Sequence, residues 1–205
     1  MRANFGKTAS PPAPQLIVVK RNKDKAGADR PQAEGLARLR FELLKILLVD
    51  DNQHMRVLLT EILRAIGVKL VFEASDGAQA LQVLRGNPID IVMTDLAMQP
   101  LDGIDFVRLL RNSPDSPNPM VPVIMITGHS TMRRVSEARD VGVSEFLSKP
   151  VTARGVIERI TRVIDHPRPF VRSPEYFGPD RRRREDQSYS GPRRRKTDRQ
   201  TTEID

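Results

Sequence analysis

Short apolar runs alternate with segments of helical periodicity along the middle of the chain. The runs are KILLVD, VKLVFEA, IDIVMTD, VPVIMIT and SEFLSK. Between and after them, apolar residues recur three or four positions apart, as in Met55, Leu59 and Ile62. Runs that are apolar throughout are typical of strands buried on both faces of a parallel sheet. The pattern therefore predicts a doubly wound α/β domain with five parallel strands and five helices.

The two flanking segments are basic, whereas the middle is nearly neutral. The net charge is +5 over residues 1–44 and +4 over residues 168–205, against −1 between them. Toward the end of the chain, apolar residues become too sparse to offset the conformational entropy lost on folding. We therefore expect one folded domain over residues 45–166. A flexible basic segment precedes it, and a disordered arginine-rich tail follows over residues 167–205.

The composition excludes several classes of protein. The chain has no cysteine, which excludes disulfides, thiolate zinc sites and thiol nucleophiles. No apolar run approaches the roughly 20 residues that span a bilayer. Residues 1–14 also lack the apolar core of a secretory signal. We therefore expect a soluble cytoplasmic protein with no membrane span.

Polar side chains with complementary chemistry end four of the predicted strands. Asp50 and Asp51 follow the first, Asp95 the third, Thr127 the fourth and Lys149 the fifth. These strand ends meet at one edge of a parallel sheet, where ligands bind. Clustered carboxylates favour a divalent cation such as Mg²⁺. The ion and Lys149 would neutralise a phosphoryl group, Thr127 would hydrogen-bond to it, and Asp95 could attack it to form an acyl phosphate.

Each of these residues taken alone has a simpler interpretation. Asp51 could cap the following helix, Asp95 could be a turn residue, and Lys149 could be a solvated charge. Their combination in this order favours phosphoryl transfer.

Four motifs at matching spacing resemble the receiver domain of response regulators: ILLVDDN, MTDLAMQPLDG, MITG and EFLSKPV. The resemblance covers the chain from about Lys45 to about Asp165 and implies a flavodoxin-like receiver fold. It also implies that a sensor histidine kinase or a phosphotransfer protein phosphorylates Asp95. In the family pattern, Asp51 matches the direct carboxylate ligand of Mg²⁺, and Asp50 matches a ligand that acts largely through a metal-bound water.

The same resemblance assigns the remaining site residues. The backbone carbonyl of Ala97 falls at the third protein-ligand position for Mg²⁺, and Thr127 and Lys149 match the residues that hold the phosphoryl oxygens. Phe146 matches the aromatic switch residue, whose ring moves inward as Thr127 closes on the phosphate. The Lys149–Pro150 bond falls where the family has a cis peptide.

The chain departs from the family pattern after Asp95. The family usually has proline four residues after its phosphoacceptor, whereas here Gln99 stands at that position and Pro100 follows. We therefore expect this loop to have a different shape. The departure removes no reacting group.

The tail contains a duplicated motif. The segment YFGPDRRRRED, starting at residue 176, is echoed 13 residues later by YSGPRRRKTD. Arginine forks bind phosphate and the O6/N7 edge of guanine, acids accept from the other guanine edge, and aromatic rings stack on bases. A ligand with two similar halves, such as cyclic di-GMP, fits a duplicated motif. The candidate binding residues are Tyr176, Arg181, Arg182, Arg183, Arg184, Asp186, Tyr189, Arg193, Arg194, Arg195 and Asp198.

The tail also resembles that of c-di-GMP-responsive CheY-like proteins, which are single receivers with arginine-rich extensions. In those proteins the ligand-bound form is thought to act on the flagellar motor. The alternatives are nonspecific binding of nucleic acid, binding of another polyanion or an acidic membrane, and a purely solubilising tail.

Three functions compete at this point. The favoured hypothesis is a stand-alone two-component response regulator that signals through protein binding, in chemotaxis or another pathway. A transcription regulator would need a recognition helix after the receiver, and the polar tail has no helical periodicity, so no specific DNA binding is expected. A phosphatase-like enzyme would commonly have a second acid two residues after Asp95, where Ala97 stands. We therefore expect a signalling protein that is not an enzyme.

Overall fold

Five strands and five helices alternate over the predicted domain. The computed structural model describes residues 41–128, 131–181 and 202–204. The elements are β1 (Lys45–Val49), α1 (Gln53–Ala65), β2 (Leu70–Ala74), α2 (Gly77–Gly86), β3 (Ile91–Asp95), α3 (Gly103–Asn112), β4 (Val123–Thr127), α4 (Met132–Asp140), β5 (Glu145–Ser148) and α5 (Ala153–Asp165). The strands pair in parallel in the order β2-β1-β3-β4-β5. The predicted doubly wound fold is confirmed.

The sheet separates two apolar layers. Alternate residues of β1, β3 and β4 face opposite sides, so that Val92 and Met125 join one layer while Met93 and Ile124 join the other. The first layer packs against α2, α3 and α4, and the second packs against α1 and α5. These three strands are almost entirely buried, as their uninterrupted apolar sequences predict. No helix within the described ranges has the length and apolar character needed to cross a membrane.

The helices begin and end at residues suited to those positions. Asn52, Asp76, Asp102, Thr131 and Thr152 cap the five N-termini, each accepting a hydrogen bond from a backbone N–H of the first turn. After α1 and α4 the chain reverses at Gly67 and Gly142, which have φ angles of 107° and 100°. This left-handed conformation suits glycine because glycine lacks a β-carbon.

Both flanking segments depart from the prediction where the structure describes them. Of the N-terminal segment, only residues 41–44 are described, and Phe41 and Leu44 pack against the layer of α1 and α5. In the tail, β6 (Phe170–Ser173) and β7 (Tyr176–Pro179) form an antiparallel hairpin. The backbone of β8 (Thr202–Ile204) pairs with the other edge of β6.

The prediction of disorder from residue 167 onward is therefore wrong for residues 170–179. It treated the few apolar residues of the tail as a core that must form alone. Phe170, Val171 and Tyr176 are instead buried in the folded structure, where the hairpin packs against the preceding α/β domain. A short segment can fold in this way because the domain already supplies most of the apolar surface.

A buried arginine lies beneath the hairpin. Arg111 is only 3% exposed, and its guanidinium donates to the carbonyl oxygens of Gly142 at 3.0 and 3.2 Å and of Pro119 at 2.7 Å. The Phe170 ring covers this group, with 5.1 Å between the guanidinium carbon and the ring centre. Burial lowers the pKa of Arg111 to about 9, so the group is cationic at neutral pH. The hairpin therefore completes the environment of a buried cation.

The hairpin approaches the domain closely at a pair of glycines. A β-carbon on Gly178 would lie 2.9 Å from the α-carbon of Gly142 and 2.6 Å from the Tyr176 hydroxyl oxygen. That hydroxyl donates to the Pro179 carbonyl at 2.6 Å. Arg181 stacks over the Tyr176 ring at 4.2 Å and pairs with Asp140 at 2.7 Å, which fastens the hairpin to the end of α4.

We predict that Gly178→Ala loosens the hairpin. The added methyl group collides with the Gly142 backbone, which cannot move aside as a flexible side chain would, and such overpacking costs about 1–3 kcal/mol. Hydrogen exchange should show faster exchange of the β6 and β7 amides, with little change in β1 to β5. Gly86→Ala is the matched control, because a β-carbon there meets nothing within 4 Å. Equal protection of the hairpin in both variants would contradict the assigned contact.

Candidate functional site

The carboxyl ends of β3, β4 and β5 bring three of the predicted residues together. Asp95 ends β3 beside Ile126 of β4, and Thr127 ends β4 beside Ser148 of β5. The next residue, Lys149, donates its backbone N–H to the Thr127 carbonyl at 2.7 Å. Its Nζ lies 2.9 Å from Asp95 Oδ1. The ion pair therefore joins β3 to the end of β5 across β4.

The Lys149–Asp95 pair lies at the carboxyl ends of the strands and is partly open to solvent. The Asp95 side chain is largely buried, whereas that of Lys149 is about one-third exposed. A carboxylate in this setting is held in one orientation by the ammonium group, and the open side of the pair faces the edge where ligands bind in such sheets. The arrangement places a carboxylate oxygen and an ammonium group next to each other.

Asp50 is the most buried acid of the site. Its side chain is 1% exposed, and Oδ1 accepts a hydrogen bond from the Asn52 N–H at 2.8 Å. Oδ2 is buried and has no hydrogen-bond partner. Burial raises the pKa of Asp50; the charges of Asp95 and Asp51 reinforce the shift, and the Asn52 hydrogen bond and Lys149 oppose it. A cation at Oδ2 would relieve this unfavourable electrostatic environment.

Asp51 is exposed and links two loops of the site. Its Oδ2 accepts a hydrogen bond from the Gln99 N–H at 3.1 Å, which connects the turn after β1 to the loop after β3. Ala97, also exposed, lies on that same loop. The helix cap of α1 is Asn52 rather than Asp51. The simpler interpretation of Asp51 as a capping residue is therefore wrong.

The oxygen-rich composition of the site fits a hard cation that retains water. Within the described ranges, no group of three or more acidic or histidine side chains is already gathered around a metal position. Lys149 pairs with Asp95 through Oδ1, so Asp50, Asp51 and the other oxygen of Asp95 would share an ion with a backbone carbonyl and with water. Mg²⁺ is usually bound in this manner, through one or two carboxylates and several waters.

Arg56 and Glu73 support the site and were not predicted from the sequence. Arg56 Nη1 donates to the Asp50 carbonyl at 2.7 Å, and its Nε donates to Glu73 at 3.3 Å. Thr60 also donates to Glu73, at 3.1 Å. These contacts fix the main chain that carries Asp50 and Asp51. A signal in the sequence could have identified this support. Two polar residues of α1, Arg56 and Thr60, are four positions apart in a helix that is otherwise amphipathic.

Gly103 is a second residue that the sequence did not identify. A β-carbon at this position would lie 2.2 Å from the carbonyl oxygen of Asp95. Its N–H donates to the Leu96 carbonyl at 3.0 Å, and Asp102 caps the helix that begins there. Glycine therefore lets the start of α3 pack directly against the backbone of Asp95.

Phe146 and the Lys149–Pro150 bond complete the predicted set. Phe146 is partly buried in the layer beneath α4 and pairs in register with Met125. The Lys149–Pro150 bond is cis, as the resemblance implied, and the Gln99–Pro100 bond is also cis.

Two of the predicted tail residues fall in the described part of the chain, and they lie away from the site. Arg181 pairs with Asp140 at the end of α4 and lies over the Tyr176 ring, and Arg168 contacts Glu145 at the start of β5. The hairpin is therefore at the amino ends of the strands, opposite Asp95. The other candidates lie outside the described residues: Arg182, Arg183, Arg184, Asp186, Tyr189, Arg193, Arg194, Arg195 and Asp198.

Comparison with known proteins identifies a match to the same region. The family model described as the response regulator receiver domain matches residues 46–161. Chemotaxis protein CheY-3 of Vibrio cholerae and chemotaxis protein CheY of Pseudomonas aeruginosa are each 34% identical over 122 residues. These matches cover 60% of this chain and 92% and 97% of the two relatives.

Solved structures show the same likeness. CheY4 of Vibrio cholerae matches with a TM-score of 0.54 at 28% identity, covering 58% of this chain and 98% of that one. The receiver domain of a sensor histidine kinase from Pseudomonas aeruginosa matches with a TM-score of 0.53 at 26% identity, covering 59% and 97%. The latter structure has a magnesium ion coordinated in its active site cleft.

Proposed function

Because the chain belongs to the response regulator receiver domain family, we propose that Asp95 accepts a phosphoryl group from a histidine kinase or a phosphotransfer protein. Receiver domains interact with such donors and serve as signalling domains of two-component systems. The observation that carries the proposal is the ion pair between Asp95 and Lys149 at the carboxyl ends of the strands. Lys149 Nζ lies 2.9 Å from Asp95 Oδ1. It sets a carboxylate nucleophile beside the cation that phosphoryl transfer requires.

The chemistry follows from the positions of the side chains. An oxygen of Asp95 attacks the phosphorus, so that an O–P bond forms as the bond to the donor breaks. Lys149 then exchanges its contact with the carboxylate for one with a phosphoryl oxygen. The Thr127 hydroxyl, at the end of the neighbouring strand, donates to another oxygen. Because the backbone fixes Thr127 and Lys149 relative to each other, both groups act without a large rearrangement.

We propose Mg²⁺ as the cofactor, held by Asp50, Asp51, Asp95 and the backbone carbonyl of Ala97. This proposal is supported by the set of oxygen donors and by the buried, unpartnered Oδ2 of Asp50. The ion supplies positive charge that neutralises the carboxylates and the phosphoryl oxygens. Arg56 holds the main chain of Asp50 through its carbonyl oxygen and so would help to position this carboxylate for the ion.

We propose that Thr127 and Phe146 transmit the phosphorylated state. Phosphorylation draws Thr127 toward the phosphate, and the partly buried Phe146 ring on the adjacent strand fills the space beside it. A phenylalanine has no hydroxyl, so the moved ring offers no hydrogen bond to a partner. Output then depends on the shape of the surface that docks a signalling protein, such as a component of the flagellar motor.

The cyclic di-GMP hypothesis for the tail stays a prediction, supported by the duplicated motif. The contacts of the hairpin limit which residues of the first copy of the motif could bind a nucleotide. Tyr176 is buried and covered by Arg181, which pairs with Asp140, so neither group is available to a nucleotide while the hairpin is docked. Binding would then use the arginines after Arg181. Nonspecific binding of nucleic acid or another polyanion is the alternative.

Phosphorylation of Asp95 is predicted to be detectable by intact mass. Incubation with acetyl phosphate and Mg²⁺ should add one phosphoryl group to the unaltered chain and none to Asp95→Asn, because the amide is not a nucleophile at this position. Asp115→Asn is the control, since Asp115 is an exposed loop residue and should not affect the reaction. The same adduct on Asp95→Asn would contradict the assignment.

Mg²⁺ binding is predicted to depend on Asp51. Replacing Asp51 with Asn removes one anionic ligand and should weaken binding at least about tenfold, since interactions with a charged group contribute ~1.5–3 kcal/mol. Calorimetric titration of the unphosphorylated chain measures this directly, with Asp115→Asn again as the control. Equal Mg²⁺ affinity of Asp51→Asn and the control would place the ligand elsewhere.

A further inference from the structure

Two buried side-chain atoms of the described residues have no hydrogen-bond partner. The first, Asp50 Oδ2, belongs to the site at the carboxyl ends of the strands and suits a cation. The second is Arg159 Nε, on α5. It is a donor on a charged group, and buried donors of this kind are almost always paired in native proteins. A buried donor without a partner is a position where an acceptor would be strongly stabilising.

Arg159 is one of three arginines around a single buried acid. Glu145 begins β5, and its side chain is 7% exposed. Arg168 Nη2 donates to Glu145 Oε1 at 3.3 Å. Arg159 Nη1 and Arg162 Nη1 each lie 3.9 Å from Oε2, which is too long for a hydrogen bond. The carboxylate therefore hydrogen-bonds to one guanidinium and holds the other two by charge alone.

The cluster has more positive charge than its structural role needs. One guanidinium neutralises Glu145, whereas three surround it. The side chains of Arg159, Arg162 and Arg168 are 30%, 55% and 22% exposed, so a ligand in solution can reach their exposed atoms, whereas Glu145 and Arg159 Nε are covered.

The geometry selects a class of ligand. Arg159 and Arg162 are three residues apart on α5 and project from the same side of the helix. Arg168 approaches from the segment that follows the helix. Donors that converge from separate elements suit a tetrahedral oxyanion, which has several acceptor oxygens, better than a planar carboxylate, which one guanidinium fork can satisfy.

We propose that Arg159, Arg162 and Arg168 form a binding site for the phosphate group of a small ligand. The site lies at the amino end of β5, whereas Lys149 and the phosphoacceptor lie beyond its carboxyl end. It is therefore distinct from the proposed phosphorylation site and does not depend on it. Arg168 also donates to the Asp180 carbonyl at 3.5 Å, so the site adjoins the chain that enters the arginine-rich tail.

The test follows the arginine Nε–H signals of the full-length protein by ¹H–¹⁵N NMR during titration with inorganic phosphate at constant ionic strength. The Arg159 signal is assigned from its loss in Arg159→Lys. It should shift saturably with phosphate, and Arg162→Gln should weaken the apparent affinity about tenfold, because one charge-assisted contact is lost. Arg154→Gln is the matched control: Arg154 is an exposed residue of the same helix, paired with Glu158.

The outcomes distinguish phosphate binding at this site from nonspecific attraction of anions to basic groups. Phosphate that shifts only the signals of tail arginines, or acetate that shifts Arg159 as strongly as phosphate does, would overturn the proposal. So would equal effects of Arg162→Gln and Arg154→Gln. Because Arg162 is half exposed and makes no hydrogen bond to Glu145, its replacement should leave the remaining spectrum unchanged, and the comparison is made between folded proteins.

Discussion

The ion pair between Lys149 and Asp95 depends on the register of three strands. Asp95 ends β3 and Lys149 follows β5, but β4 lies between them. The two side chains meet only because both parallel pairings are in register and all three strands end at one level. Burial of β3 and β4 on both faces fixes that register, since a slip by one residue would turn every apolar side chain toward the wrong layer. The apolar core therefore determines the geometry of the polar site.

The site concentrates unfavourable charge at the edge of this core. Asp50 is buried with one unpartnered oxygen, and its pKa is raised by burial and by the neighbouring carboxylates. Such an arrangement destabilises the protein alone and is stabilised by a bound cation. Supporting contacts from Arg56 and the close approach at Gly103 hold the acids in place despite their repulsion. At Glu145 the excess charge is positive instead of negative, because surplus guanidinium groups surround one carboxylate.

The sequence was sufficient to predict the features that depend on the local pattern of apolar and polar residues. Apolar runs predicted the five strands because central parallel strands are buried on both sides, and strand ends predicted the polar site because parallel strands end together. The hairpin was missed because it packs against residues that are distant in sequence, such as Arg111 and Gly142, and no local count of apolar residues measures such contacts. The burial of Arg111 could not be predicted for the same reason, since nothing in its neighbouring residues distinguishes a buried arginine from a solvated one.

The residue that receives the phosphoryl group is the central claim, and chemical trapping locates it directly. Borohydride reduces an acyl phosphate to the corresponding alcohol, so a phosphorylated aspartate becomes homoserine, which peptide mass spectrometry can place in the sequence. After reaction with acetyl phosphate and Mg²⁺, homoserine is predicted at position 95, in the peptide that contains the end of β3. Homoserine at position 50 or 51, with aspartate retained at 95, would contradict the account.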